Sequence, residues 1–423
     1  MHSKRQFLMS LVGIGLGCLM LPNAVHAQSG EVRIGAIHPL TGPLSFGGTE
    51  SFLGADIARE LVNEKGGVWG KKVVFVSADA PDPTAGASEA NRLITREGVK
   101  LIVGTFSSGI AIPASAVAER NQVVYWENNA VVVDLTKRGF KYLFRANVSA
   151  LGTGGGAVDY AAKLVAPKIG VDPKKLRLAI VYEDGAYGSS IHASAQEKAK
   201  ELGIPVLAAE GYSNKVTDLS PVILRLKALN PDVIVGASVG GDAILFWKQA
   251  KELGLDVNAM IGTAAGFTLP DFVKAMGKDA DGVLSSDHGT DVNPKALSPR
   301  AVELRDEFIK RVKARTGREP TSNCYLSFAG TLILLQDVLP KAGSMDPEKI
   351  REAAMSLDLP FGYAANGMGI KFAPPGDPHA GQNTRVHPVL LQWQNGRLQL
   401  VGPANMANAE PTMIPLPTWA ARK

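Results

Sequence analysis

Cysteine is nearly absent from this chain: two occur in 423 residues, Cys18 and Cys324. Cys18 lies in an N-terminal leader, so the remainder carries one thiol and no intramolecular disulfide can hold it together. Catalytic motifs are missing as well. There is no Gly-x-x-x-x-Gly-Lys-Ser/Thr loop, no His-Glu-x-x-His, no Gly-x-Ser-x-Gly and no Cys-x-x-Cys. Histidine is sparse. Beyond the leader it stands only at 38, 192, 288, 379 and 387, never paired at i, i+4, which gives no sign of a metal site. Charge of one sign is lacking too. Lys4 and Arg5 set aside, 43 bases face 40 acids, a balance that argues against a nucleic-acid partner. Past residue 21 no apolar run is long enough to span a bilayer.

The leader itself is informative. Lys4 and Arg5 form a basic start, Phe7 to Leu21 an apolar core, and Val25-His26-Ala27 a small-residue cleavage site before Gln28. Pro22 and Asn23 end the run too early for a membrane anchor. Gly17-Cys18 hints at lipidation, but Gly15 stands where a bulky aliphatic residue is needed. Residues 1–27 are therefore expected to be a signal peptide and the mature protein periplasmic.

Hydrophobic content of 45% and charged content of 20% mark a globular protein, long enough for two domains. Leu101-Ile102-Val103 reads as a strand buried on both faces, closed by Gly104, and Ile110 to Arg120 as a helix with Pro113 in its first turn. Between them lie Thr105, Ser107, Ser108 and Gly109. Backbone N–H groups and the positive end of the helix dipole meet there, a place suited to an anion such as a carboxylate. The bland alternative is that Ser107 or Ser108 only caps the helix, and local sequence leaves both open.

Strands at 31–38, 72–77, 101–103 and 122–126 alternate with helices at about 50–65, 84–97 and 110–120, the pattern of βαβ units on a parallel sheet. The pattern restarts at Tyr142 and runs through strands at 176–182, 205–208, 232–236, 259–262 and 281–287. Three helices follow, at about 299–316, 322–339 and 346–356, without strands between them, so the chain is expected to return to the first unit. A hairpin, 389–393 and 397–400, turns at Asn395-Gly396 in type I′ geometry. Gly152-Thr-Gly-Gly-Gly156 resembles a dinucleotide loop but lacks the acid about 20 residues on, and reads as a helix entry.

Seven short motifs now stand in register: Ile34-Gly35 with Pro39-Leu-Thr-Gly-Pro43, Gly54-Ala55 with Asn63-Glu-Lys-Gly-Gly67, Asp82-Pro83, Ile102 to Ser108, Tyr142-Leu-Phe-Arg145, Asp184 to Gly188, and Asp232-Val-Ile234. Together they resemble the leucine/isoleucine/valine-binding proteins of ABC importers over most of residues 31–400. The resemblance implies an α/β fold of two Rossmann-like lobes joined by three crossing segments, the type I periplasmic binding protein. Lobe 1 is expected at 28–147 plus 288–357 and lobe 2 at 148–287 plus 358–400, with a Pro-rich tail at 401–423. It implies a small-molecule ligand in the interlobe cleft, an inner-membrane ABC permease as partner, a monomer, no cofactor and no enzymatic activity. A ligand-sensing subunit is the alternative. A secreted serine hydrolase built on Ser107 or Ser108 is a third, disfavoured because no His or acid is placed to activate either.

The same resemblance places the ligand's carboxylate on Ser108 and on Ala130-Val131, and closes Tyr187 over it from lobe 2. Asp82 and Ser107 replace a cysteine pair found near the site in the family. The family's amine-binding glutamate falls near Ala264, in Thr263-Ala264-Ala265, where no carboxylate stands. An unpaired ammonium in a closed cleft costs several kcal/mol. Glu127 or Asp287 are the possible substitutes, Glu127 also reading as an ordinary strand-end acid; otherwise a carboxylate without an α-amine is expected. Phe46 and Tyr187 are expected to pack on the ligand from opposite lobes, and Ser107 and Ser238 complete the expected lining.

Overall fold

Leu101–Gly104 (β3) is the middle strand of a five-stranded parallel sheet, and every residue of it is buried. Its neighbours are Val32–His38 (β1) on one side and Val124–Glu127 (β4) on the other. Val73–Asp79 (β2) and Leu143–Arg145 (β5) form the edges, giving the order β2-β1-β3-β4-β5. The register sets Gly104 beside Glu127 and Glu127 beside Arg145, so three strand ends converge on one rim. Helices Ser45–Glu64 (α1), Pro83–Thr95 (α2) and Ser108–Arg120 (α3) connect these strands. The computed structural model describes residues 30–422; the signal-peptide reading of residues 1–27 lies outside them.

The second sheet has seven strands: Leu178–Glu183 (β6), Val206–Tyr212 (β7), Val233–Ala237 (β8), Ala259–Gly262 (β9), Leu284–Asp287 (β10), Val389–Gln394 (β11) and Arg397–Gly402 (β12). Their order is β12-β11-β10-β9-β8-β6-β7, parallel except for the hairpin β11–β12 and its antiparallel pairing with β10. At the hairpin turn Asn395 (φ 51°) and Gly396 (φ 72°) are both left-handed, as a type I′ turn requires.

Apolar clusters cover both faces of each sheet, the mark of a doubly wound layer. On the first lobe α1 packs against the helix Ser322–Ile333, which lies outside the first 147 residues. The contact is close because a side chain at Gly54 would stand 2.1 Å from the Cys324 carbonyl. Cys324 is itself fully buried and unpaired.

One boundary differs from expectation. Residues 359–372, assigned from sequence to lobe 2, pack into the first core: Ala364, Met368, Ile370 and Phe372 join Val32 and Trp126 there. Phe372 meets Trp126 and Phe144 edge-on at 5.4 and 5.0 Å. The stretch carries only isolated bridges, Leu359 with Ile370 and Phe372 with Asn383, so no periodicity announces it, and the chain crosses to lobe 2 just before β11. The chain thus passes between the lobes near 146–149, over 288–298, where Val292, Ala296 and Leu297 still pack on β11 and β12, and near 386–388. The tail after β12 packs on lobe 2 through Leu416 and through Trp419, whose ring lies 4.8 Å from Trp247.

Candidate functional site

The cleft is built around the mouth of α3. Ser107 occupies its N-cap position in extended conformation, yet its side chain makes no capping bond. Ser108, the first helical residue, is 2% exposed, and its Oγ accepts from the Val132 amide at 3.2 Å. Neither serine spends its hydroxyl on the helix's own first turn, so the positive end of α3 faces the cleft. The helix begins two residues earlier than expected, which places Pro113 in the second turn rather than the first.

Opposite this mouth runs the segment after β4. Glu127 is fully buried and accepts from the Thr105 amide at 2.7 Å and from the Asn129 and Ala130 amides at 2.9 Å. Burial pushes its carboxyl up, and these bonds oppose the shift. Arg145, also fully buried, donates to the Val132 carbonyl at 2.6 Å. Burial lowers its pKa to about 9, against the pull of Glu127. Glu127 is thus bound to the loop backbone and is not among the described residues lining the cleft cavity. Ala130, expected to meet the ligand through its backbone, gives its amide to Glu127 instead. Val132 and Val133 donate to Ser108 and Ser190. Among the described residues the Val131 amide alone in the run 129–133 has no partner.

Val131, its N–H without a partner, lines the cavity, and Leu44, Phe106, Ser107, Ser108, Asn129 and Asn323 complete the lobe 1 side. Lobe 2 supplies Tyr187, Val239, Ala264 and Ala265, and His288 comes from the second crossing. Tyr187 donates to the Thr263 carbonyl, and burial raises its hydroxyl far above the ordinary value. Ala264 is left-handed (φ 63°, ψ −160°) and gives its amide to Ser285 Oγ at 3.0 Å.

Besides Glu127 and Ala130, three more expected residues lie outside the cavity. Phe46 lines an outer pocket with Phe106, Val239 and Leu269, its ring 5.2 Å from the Arg318 guanidinium carbon. Ser238 bonds Tyr212 at 2.6 Å behind the wall, because β8 turns its successor Val239 inward. Asp287 is fully buried, accepting from Ser322 Oγ at 3.2 Å and the His288 amide at 2.6 Å. Burial raises its pKa. Conversely Phe106, Asn129, Val239, His288 and Asn323 line the cavity without having been singled out in sequence. Asn129 and Phe106 sit at strand ends beside residues that were, which was the available signal. Asn323 enters from a helix nearly 200 residues away, and only the fold brings it in.

The described residues contain no group of three His, Cys, Asp or Glu side chains able to hold a metal, and no helix long and apolar enough to cross a membrane. With this geometry the comparisons agree. A family model described as "Periplasmic binding protein" matches residues 31–389. Leu/Ile/Val-binding protein homolog 8 of Brucella suis biovar 1 is 36% identical over 402 residues, 95% of this chain and 97% of that protein. Homolog 7 of the same organism is 35% identical over 401 residues, 95% and 98%. Two solved structures share the fold. A leucine binding protein from Thermotoga maritima superposes with a TM-score of 0.74 at 24% identity, covering 88% of this chain and 98% of that one. A branched-chain amino acid transporter substrate binding protein from Streptococcus pneumoniae, in complex with isoleucine, gives 0.71 at 22%, covering 88% and 100%. The chain belongs to the Leu/Ile/Val-binding protein family of type I periplasmic binding proteins, substrate-binding components of ABC transporters and not enzymes.

Proposed function

We propose that the protein is exported by cleavage before Gln28 and works in the periplasm as the receptor of an ABC importer, handing a small organic carboxylate to an inner-membrane permease. The observation that carries the ligand class is the mouth of α3. The open Val131 amide, Ser108 and the helix's first N–H groups converge there, and a carboxylate completes them. No Asp or Glu is among the described residues lining this cavity, so an α-ammonium group finds no counter-charge. The preferred ligand is a carboxylate without an α-amine, whatever the named ligands of the relatives. Closing the lobes buries it and forms the surface the permease reads.

Ser108→Ala tests the reading. It removes the hydroxyl from the carboxylate site and is expected to weaken the best-bound acid by about 5- to 150-fold in calorimetry, roughly 1–3 kcal/mol. Ligand-free stability falls by about 1–3 kcal/mol, because the buried Val132 amide loses its acceptor, and affinity is therefore compared on the folded protein. Unchanged affinity would show that Ser108 serves only its bond to Val132. A thermal-shift comparison of leucine, isoleucine and valine with their deaminated acids tests the second half: larger shifts with the amino acids would refute it.

A further inference from the structure

A second cavity adjoins the one at the mouth of α3. The inner cavity has a volume of about 40 Å³ and the outer one about 120 Å³. Leu44, Phe106 and Val239 line both, so the two meet across the same three side chains. A Cβ at Gly47 would stand 2.2 Å from the Phe106 ring, so only a glycine there lets the ring lie against α1 at this junction. The outer walls come from both lobes, Pro43 and Phe46 from lobe 1 and Ile244, Leu269 and Phe272 from lobe 2. Both chambers therefore open together when the lobes part. A long molecule can be laid across Phe106 and enclosed by closure, without threading a passage. Apart from Asp271, every described side chain lining the outer chamber is apolar, and the rest of its lining is glycine. Asp271 itself is exposed. The Arg318 guanidinium, 5.2 Å from the Phe46 ring, is committed to Glu50, donating to Oε2 at 2.9 Å and also to Oε1.

We infer that the outer chamber is a subsite for an apolar tail, so that the preferred ligand is a carboxylic acid whose hydrocarbon chain reaches past Phe106. The inference rests on the carboxylate reading of the α3 mouth and extends it. A short acid fills the inner cavity and leaves the outer walls to water, forgoing the burial of apolar surface from both lobes. A second carboxylate at the far end meets Asp271 and no free cation among the described lining residues. A terminal ammonium gains only a screened contact with that exposed acid, and sheds water against apolar walls. A hydrocarbon tail asks for no partner that the chamber lacks.

The test compares acids on the purified protein by calorimetry. Octanoate and 4-phenylbutanoate carry alkyl and aryl tails, 4-methylpentanoate is the short reference, and octanedioate and 8-aminooctanoate end in a charge. Each buried methylene adds about fourfold in affinity, so at least one tailed acid is expected to bind at least about tenfold tighter than 4-methylpentanoate. Two variants locate the tail. Ile244→Lys puts an ammonium among the outer walls, and Gly241→Leu fills space there, since a Cβ at Gly241 meets nothing within 4 Å. In both, the advantage of the tailed acid over 4-methylpentanoate should fall below about threefold, and in Ile244→Lys octanedioate should gain about tenfold on octanoate. Tailed acids that bind no tighter than 4-methylpentanoate, or an advantage that survives both variants, overturn the subsite and leave the carboxylate reading standing. So does tightest binding of octanedioate or 8-aminooctanoate to the unaltered protein. Binding of none of the five overturns both.

Discussion

At the cleft, α3 of lobe 1 and two helices of lobe 2 treat their N-termini in opposite ways. In lobe 2 the helix Ala186–Leu202 opens onto Glu183, which is buried and accepts from the Gly185 and Gly188 amides at 2.7 and 2.6 Å. The helix Gly241–Leu253 opens onto Asp242, which accepts from the Gly240 amide at 2.7 Å and the Val239 amide at 3.1 Å. Each carries its own anion. In lobe 1 the carboxylate nearest the cleft, Glu127, ties down the Thr105, Asn129 and Ala130 amides and leaves the mouth of α3 open. The same local chemistry, a strand end followed by a helix start, is self-satisfied in one lobe and left for a ligand in the other. An anion should therefore dock first on lobe 1, with lobe 2 closing over it through Tyr187, Val239 and the Ala264 corner.

The sharpest way to break this contrast is to plug α3 as lobe 2 plugs its helices. Ser108→Asp supplies a carboxylate at the mouth, where it competes with the ligand's own and repels it. Affinity for the preferred acid should fall by about 100-fold or more, roughly 3 kcal/mol. Ligand-free stability should hold or rise slightly, since an acid near a helix N-terminus is favourable. Retained affinity in calorimetry would mean that the ligand's charge sits elsewhere.

Lobe 1 also carries an unpaired base that lobe 2 lacks. His38, at the end of β1, is fully buried with both ring nitrogens unpartnered, and burial lowers its pKa from 6.5 to about 3. The folded state thus binds this proton less readily than the unfolded chain. Its contribution is fully present above pH 6.5 and is lost as pH falls toward 3. Between pH 7 and about 4.5 it should cost about 2–3 kcal/mol. His38→Phe removes the titration and keeps a ring beside Phe52, 5.5 Å away. Urea unfolding at the two pH values should show the variant losing that much less than the unaltered protein. Equal losses would refute the assignment.

Much of this was legible in the sequence, and for physical reasons. Both sheets are buried on two faces, so β3 and β8 appear as short apolar runs bounded by Gly104 and Asp232. The Asn395-Gly396 turn announces itself through the left-handed geometry only such residues accept readily. Ser108, read from its place between a strand end and a helix start, and Val131, Tyr187 and Ala264, placed through the family resemblance, line one cavity. What stayed hidden depends on tertiary pairing. A strand-end acid such as Glu127 looks the same whether it meets ligand or its own backbone, and only the turned loop decides. Asn323 and residues 359–372 belong to lobe 1 through packing that no local periodicity encodes.

On the lobe 2 side the plugged helices should matter for folding and not for binding. Glu183→Ala leaves the Gly185 and Gly188 amides without their acceptor, and should cost about 2 kcal/mol of stability. The affinity of the protein for its acid should stay within about threefold, since Glu183 lines no part of the inner cavity. A large loss of affinity with little loss of stability would show that lobe 2 also presents an electrostatic site, and the contrast between the lobes would fail.

The smallest expected effect probes closure itself. Ser190, on the helix Ala186–Leu202 of lobe 2, accepts from the Val133 amide of lobe 1 at 3.0 Å. Around it Val131 and Val133 pack with Ala150, Ile191 and Ala237 across the cleft. When the lobes part, water replaces both partners, so the bond favours the closed form only by the net value of one hydrogen bond, about 0.5–1.5 kcal/mol. Ser190→Ala removes the acceptor and leaves the Val133 amide unpaired only when closed. The ligand then shifts an equilibrium that lies further toward open, and its apparent Kd rises by the same factor, about 2- to 10-fold. The loss should appear alike for every ligand, because it taxes closure and not recognition. Ser108→Asp, by contrast, should discriminate between acids and their uncharged analogues. If Ser190→Ala changed the ranking of ligands, Ser190 would belong to the site and lobe 2 would contribute to recognition as well as to the lid.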